Sequence, residues 1–174
     1  MIRHQVIPSV IVSGLIAVGA LAGLARAAEP QQVAFRSLLT TVDVHLVQVG
    51  NDADHRILTE KQIGSNISTG ATRVLEGALV TLTGLVDANK GADAEHGYAL
   101  FLDVDGSTLL LAYEGKGTDT RAGGTLTYKG GGTWHVDSGT GRYENSRGEG
   151  IYKYEGSPAK NVIDWTGTLA VADK

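Results

Sequence analysis

The chain has 174 residues, a formal charge of −4, 24 glycines, three prolines and no cysteine. This length fits one domain behind a leader, and the missing cysteines exclude a disulfide framework. The acidic balance, with no basic stripe, argues against nucleic acid or an anionic membrane surface as a partner.

The N-terminal segment reads as an export signal. Arg3 and His4 form a short basic start, residues 6–24 are apolar apart from Ser9 and Ser13, and Ala25-Arg26-Ala27 offers the small-x-small pattern of a cleavage site. A retained anchor is the alternative, since the apolar run approaches spanning length. The polar Glu29-Pro30-Gln31-Gln32 that follows favours cleavage. The expectation is a signal peptide over 1–27 and a mature domain over 28–174 beginning at Ala28. The mature protein is then periplasmic or secreted and free of the membrane. Without a twin-arginine pair the chain is exported unfolded.

Eight strands are predicted in the mature chain, at 35–50, 57–64, 72–86, 98–103, 108–117, 124–136, 147–155 and 162–172. Glycine richness beside few prolines, with β-branched residues throughout, supports strands joined by tight turns. Asp105-Gly106 between Leu102 and Leu109 is the strongest hairpin signal. Residues 51–54, 65–70, 87–95 and 157–161 supply further connections. An even count of antiparallel strands in one chain suits an all-β, up-and-down closed barrel of eight strands.

Period-two alternation assigns faces. Leu126, Tyr128, Gly130, Gly132, Trp134 and Val136 share one face of the sixth strand, and Gly148, Gly150, Tyr152 and Tyr154 share one face of the seventh. Ile163, Trp165, Leu169 and Val171 do so in the eighth. Glycine beside large aromatics is how a narrow barrel fills a tapering interior. The stretches 98–104 and 109–112 are apolar on both faces, so something covers their outer side. The candidates are a second copy of the chain, in a dimer or trimer, and a terminal segment folded over that wall.

The glycine-dense stretch 130–154 contains Gly139-Thr140-Gly141-Arg142-Tyr143 and then Arg147-Gly148-Glu149-Gly150. This block resembles the signature of the allene oxide cyclase and dirigent superfamily. The resemblance implies an eight-stranded antiparallel barrel around a small-molecule pocket, commonly in a trimer, with Arg142 and Arg147 near one barrel end. It also implies chemistry that confines a reactive molecule, without a metal or organic cofactor.

Residues able to carry chemistry are few. His135, Asp137 and Ser138 lie close together, but no nucleophile elbow accompanies them and a solvated strand face accounts for them. The five histidines show no ligand spacing, and Asp103-Val104-Asp105-Gly106 lacks the remainder of a calcium loop. No metal site is expected. Glu76, between apolar neighbours in Val74-Leu75-Glu76-Gly77-Ala78, is the candidate acid or base. Arg142 is the candidate clamp for a ligand oxygen; a local ion pair is its structural alternative. Tyr128, Trp134, Tyr152, Tyr154 and Trp165 are the candidate ligand-binding wall. The expected function is capture of a small, largely apolar molecule inside the barrel. The alternatives are a cyclase or isomerase acting by confinement and a structural envelope protein with a filled interior.

Overall fold

Val33, Phe35, Ser37 and Leu39 are all buried and alternate with more exposed neighbours, the mark of a strand with one face on a core. They lie on β1 (Gln31–Gln48), the first element of the computed structural model, which describes residues 29–171. The expected signal at 1–27 and the start at Ala28 lie outside the described residues. The chain continues through β2 (His55–Ser68), β3 (Leu79–Asn89), β4 (Ala92–Leu102), β5 (Thr108–Ala122), β6 (Thr125–Gly139), a 3-10 turn at Gly141–Tyr143, β7 (Arg147–Ser157) and β8 (Lys160–Ala170). Each strand pairs antiparallel with the next, and β8 pairs back onto β1, so the sheet closes as an eight-stranded up-and-down barrel. Closure leaves no unpaired edge. No helix among the described residues is long and apolar enough to cross a membrane.

Most strand bounds differ from expectation by a few residues, β2 runs on to Ser68 through part of the connection expected at 65–70, and two larger differences matter for the site. The third strand starts at Leu79 rather than at 72, because residues 74–77 form a turn in which Leu75 (φ 58°) and Gly77 (φ 74°) are left-handed. The connection expected over 87–95 is mostly strand. Only Lys90 and Gly91 turn the chain, with φ of 53° and 78°, the two-residue primed hairpin that matches strand twist.

The two ends of the barrel are unlike. At one end, long connections fold inward and plug it: Leu75 and Ala78 from the loop before β3, and Tyr143 from the turn after β6, are fully buried. Beneath this plug the interior is dense. Phe35 meets Phe101 edge-on at 5.5 Å and stacks on Trp165 at 6.1 Å. Trp134 fits because Gly150 and Gly167 face it; a β-carbon at either would come within 2.7 Å of its indole. Its Nε1 donates to the carbonyls of Ile151 and Thr166. Trp165 Nε1 donates to Ser37 Oγ, which donates to Asn66 Oδ1, whose amide reaches the Leu75 carbonyl, so the buried polar groups here are satisfied. At the other end short hairpins leave the mouth open.

On the outer wall Leu79, Tyr98, Leu100 and Leu102 are exposed. Leu109 and Leu111, expected beside them on that wall, point inward and are fully buried. A strand apolar on both sides does not declare which side is the core, and the neighbouring β4 supplies the outward leucines instead.

Candidate functional site

The open half of the barrel encloses a cavity of about 270 Å³, close to the lower end of the roughly 300–1,000 Å³ range of small-molecule pockets. Its floor is Trp165 with Ile163, and Leu58, Leu82 and Val86 form apolar wall. Tyr113, Tyr128, Tyr152 and Tyr154 supply the aromatic wall. Tyr152 and Tyr154 stack at 6.3 Å, and Tyr128 tilts against Tyr154 at 6.2 Å.

Glycines make space for these rings. The Tyr113 hydroxyl stands over Gly84 and Gly97, that of Tyr152 over Gly115, and that of Tyr154 over Gly117 and Gly130. A β-carbon at any of these positions collides with the phenol it faces. The glycine-rich composition therefore sets where the tyrosine hydroxyls converge.

They converge on carboxylates. Tyr152 donates to Glu95 Oε1 at 2.6 Å, and Gln62 Nε2 donates to Glu60 Oε2 at 3.0 Å. Burial pushes Glu95 up to about 7; its hydrogen bonds to Tyr152 and Tyr154 oppose the rise, and the nearby charges of Glu60 and Asp93 add to it. Burial also raises Glu60, against the Gln62 hydrogen bond. Asp93 is raised by burial and by Asp119, with Arg56 opposing. Burial, reinforced by Glu60, pushes Tyr128 up to about 12. Tyr113, Tyr152 and Tyr154 are raised further by burial and by the Glu95 charge. The phenols are thus hydrogen-bond donors at any physiological pH, while Glu95 changes charge near neutrality. A group poised in this way can give or take a proton at a bound molecule.

Of the residues expected to bind ligand, Tyr128, Tyr152, Tyr154 and Trp165 line this cavity. Trp134 does not; it is buried in the dense half. Glu76, the candidate acid or base, and Arg142, the candidate clamp, lie at the plugged end and do not line this cavity. Glu76 sits in the 74–77 turn, where its Oε2 accepts the Ser68 N–H at 2.6 Å and Arg73 approaches at 3.8 Å. Arg142 pairs with the buried carboxylate of Asp103, reaches Asp105 at 3.6 Å, and lies 4.9 Å over the Tyr143 ring. The physical reason is the turn at 74–77 and the inward fold of 140–146, which bring both side chains to the plug. Arg147, His135 and Asp137 are exposed on the barrel surface.

Sequence reasoning missed Glu60, Asp93 and Glu95. The signal was present: Leu58, Glu60 and Gln62 alternate on β2, and Asp93, Glu95, Gly97, Ala99 and Phe101 form one face of β4. Treating 87–95 as a loop hid the second series.

No family model matches the sequence, and no curated protein matches it. Among solved structures, the pterocarpan synthase dirigent protein GePTS1 is similar with a TM-score of 0.50 and 9% identity, covering 98% of both chains. The pterocarpan synthase dirigent protein PsPTS1 is similar with a TM-score of 0.50 and 11% identity, over 86% of this chain and 99% of that one. Identities this low carry the fold alone. What the chain shares with these two dirigent proteins is the barrel fold.

Proposed function

We propose that this chain is exported and that its barrel captures a small, largely apolar molecule in the open-end cavity. The observation that supports this reading is the asymmetry of the interior. One half is packed around Trp134 and Phe35, and the other holds a cavity of about 270 Å³ with Glu60 and Glu95 in its wall. Carboxylates in an apolar interior are costly unless bonded or used. A barrel serving only as a structural shell would gain stability by filling that half as it fills the other.

A second reading, a cyclase or isomerase acting by confinement, is favoured by Glu95, whose ionisation near 7 suits proton transfer to a held substrate.

Chemical-shift mapping with 2-phenylethanol tests capture. The expected perturbations cluster at Glu60, Glu95, Tyr113 and Tyr154, spare the Trp134 indole, and vanish in Ala88→Phe, which fills the cavity from β3. Perturbations spread over the outer wall, or none at millimolar probe, contradict capture.

A further inference from the structure

We infer that the open-end cavity is built for a molecule carrying a cationic amine on an apolar body, with the ammonium held between Glu60 and Glu95. This rests on the reading of the barrel as a capture site and adds the chemical class of the ligand.

The first argument is the hydrogen-bonding capacity left over in the deep part of the cavity. Glu60 accepts from Gln62, and Glu95 accepts from Tyr152. Two carboxylates can accept several more bonds each. Asn161 lines the cavity and is only 5% exposed; its amide nitrogen is committed to Gln62 Oε1, and its Oδ1 has no partner. The unused capacity here is of acceptors, and an ammonium brings three donors and no acceptor.

The second argument is charge. Among the described residues no lysine or arginine forms an ion pair with Glu60 or Glu95. The two arginines that line the cavity, Arg56 and Arg121, stand near the hairpin ends of β2 and β5, toward the mouth. Arg56 Nε has no partner, and the charge of Arg56 is felt at Asp93, itself close to Asp119. The mouth therefore carries both signs, whereas the depth carries acid alone. Burying an uncompensated anion is unfavourable, and a cation supplied by the ligand relieves it.

The third argument is the wall. Tyr113, Tyr152 and Tyr154 present ring faces and edges around the acids, a surface that attracts an organic cation as well as its hydrocarbon. A bare metal ion fits less well: among the described residues no group of three or more His, Asp or Glu side chains is arranged to hold one.

Binding such a cation is linked to protons. The titratable groups that share the cavity with Glu95 are Glu60 from β2, Asp93 from its own strand, Tyr113 and Asp119 from β5, Tyr128 from β6, and Tyr152 and Tyr154 from β7, with Arg56 and Arg121 toward the mouth. The phenols stay protonated, so the carboxyls of Glu95, Glu60 and Asp93 are the groups that change. An ammonium favours their ionised forms, so it displaces a proton below about pH 7 and binds more weakly as pH falls, by up to about tenfold per unit.

Calorimetry with 2-phenylethylamine, 2-phenylethanol and 3-phenylpropionate, between pH 5 and 8 and in buffers of different ionisation enthalpy, tests the inference. At pH 8 the amine is expected to bind about tenfold or more tighter than the alcohol. At pH 6 its binding should release protons, and at pH 5 its advantage should shrink. Glu95→Gln should reduce both the preference for the amine over the alcohol and the proton release, leaving the share that belongs to Glu60. Equal affinity of amine and alcohol at pH 8, or amine binding without proton release at pH 6, overturns the cationic assignment and leaves capture intact. Failure of all three compounds to bind overturns capture itself.

Discussion

Tyr152 and Glu95 meet across the barrel, phenol oxygen to carboxylate oxygen at 2.6 Å, although β7 and β4 are separated by two strands on the shorter way round the sheet. This contact crosses the interior and fixes the width of the cavity. It also couples the ionisation of Glu95 to the shape of the aromatic wall.

Stability should therefore depend on pH through Glu95. Its pKa rises from 4.5 to about 7 on folding. Below 4.5 both states hold the proton; between 4.5 and 7 only the folded state does, so stability is lost as pH rises and levels off above 7. Glu95→Gln should match the wild type near pH 4 and exceed it at pH 8, by up to about 3 kcal/mol. Urea melts at the two pH values measure this, and an equal difference at both would contradict it.

The plugged end should respond differently. Asp103 is buried and accepts from Arg142, from the Tyr143 hydroxyl at 2.5 Å and from the Val104 N–H at 2.7 Å. Arg142→Leu removes a partner from a buried charge and should cost about 3 kcal/mol. Because Arg142 lies far from the open cavity, affinity for 2-phenylethanol below the melting range should stay unchanged. A selective loss of affinity without loss of stability would return Arg142 to the site.

The glycine block offers a third test. Gly141 has φ of 62°, and a β-carbon there would strike the Ser107 side chain. Gly141→Val should lower thermal stability by at least about 1 kcal/mol, whereas Ala122→Val, at the exposed end of β5, should not. Gly139 does not have a positive φ, and its constraint is the close approach of the Tyr143 backbone. Equal melting temperatures in both variants would remove the special role of this turn.

The outer leucines lead to a prediction about assembly. Leu79 pairs with Leu102, and Leu100 lies between Thr81 and Leu110, giving an uncharged patch on the plugged-end part of β3–β5, while His96, Glu114 and Lys116 are exposed further along the same wall. The opposite wall carries Lys153 beside Asp164 and Arg36 bonded to Asp164. A self-complementary apolar face suits a second copy of the chain. Light scattering should find a wild-type oligomer that Leu100→Lys dissociates into folded monomers. A monomeric wild type at micromolar concentration would contradict this.

Much of the barrel is legible in the sequence because strands write their faces at period two. The glycine–tyrosine alternation of β6 and β7 placed Tyr128, Tyr152 and Tyr154 on one side without any structure. What stayed hidden depends on chain reversals. Val74, Leu75 and Ala78 read as strand because they are apolar, yet Leu75 is buried as part of a plug, and its left-handed backbone is not visible in its side chain. In the other direction, the polar run from Asp87 to Glu95 read as a loop, although Lys90-Gly91 alone makes the turn. That single reversal carries Asp93 and Glu95 into the barrel. Which end is open could not be read at all, since it follows from how the loops at 69–78 and 140–146 pack over the interior.

Carbon-13 NMR of the side-chain carboxyls, titrated from pH 3 to 9, tests the central claim that the open half of the barrel is a site with buried, chemically poised carboxyls. A midpoint near 7 for Glu95, with Glu60 also raised, and a change in the Glu95 midpoint in Tyr152→Phe, is the predicted result. Midpoints for both groups near 4.5, the ordinary glutamate value, unchanged by Tyr152→Phe, would contradict it.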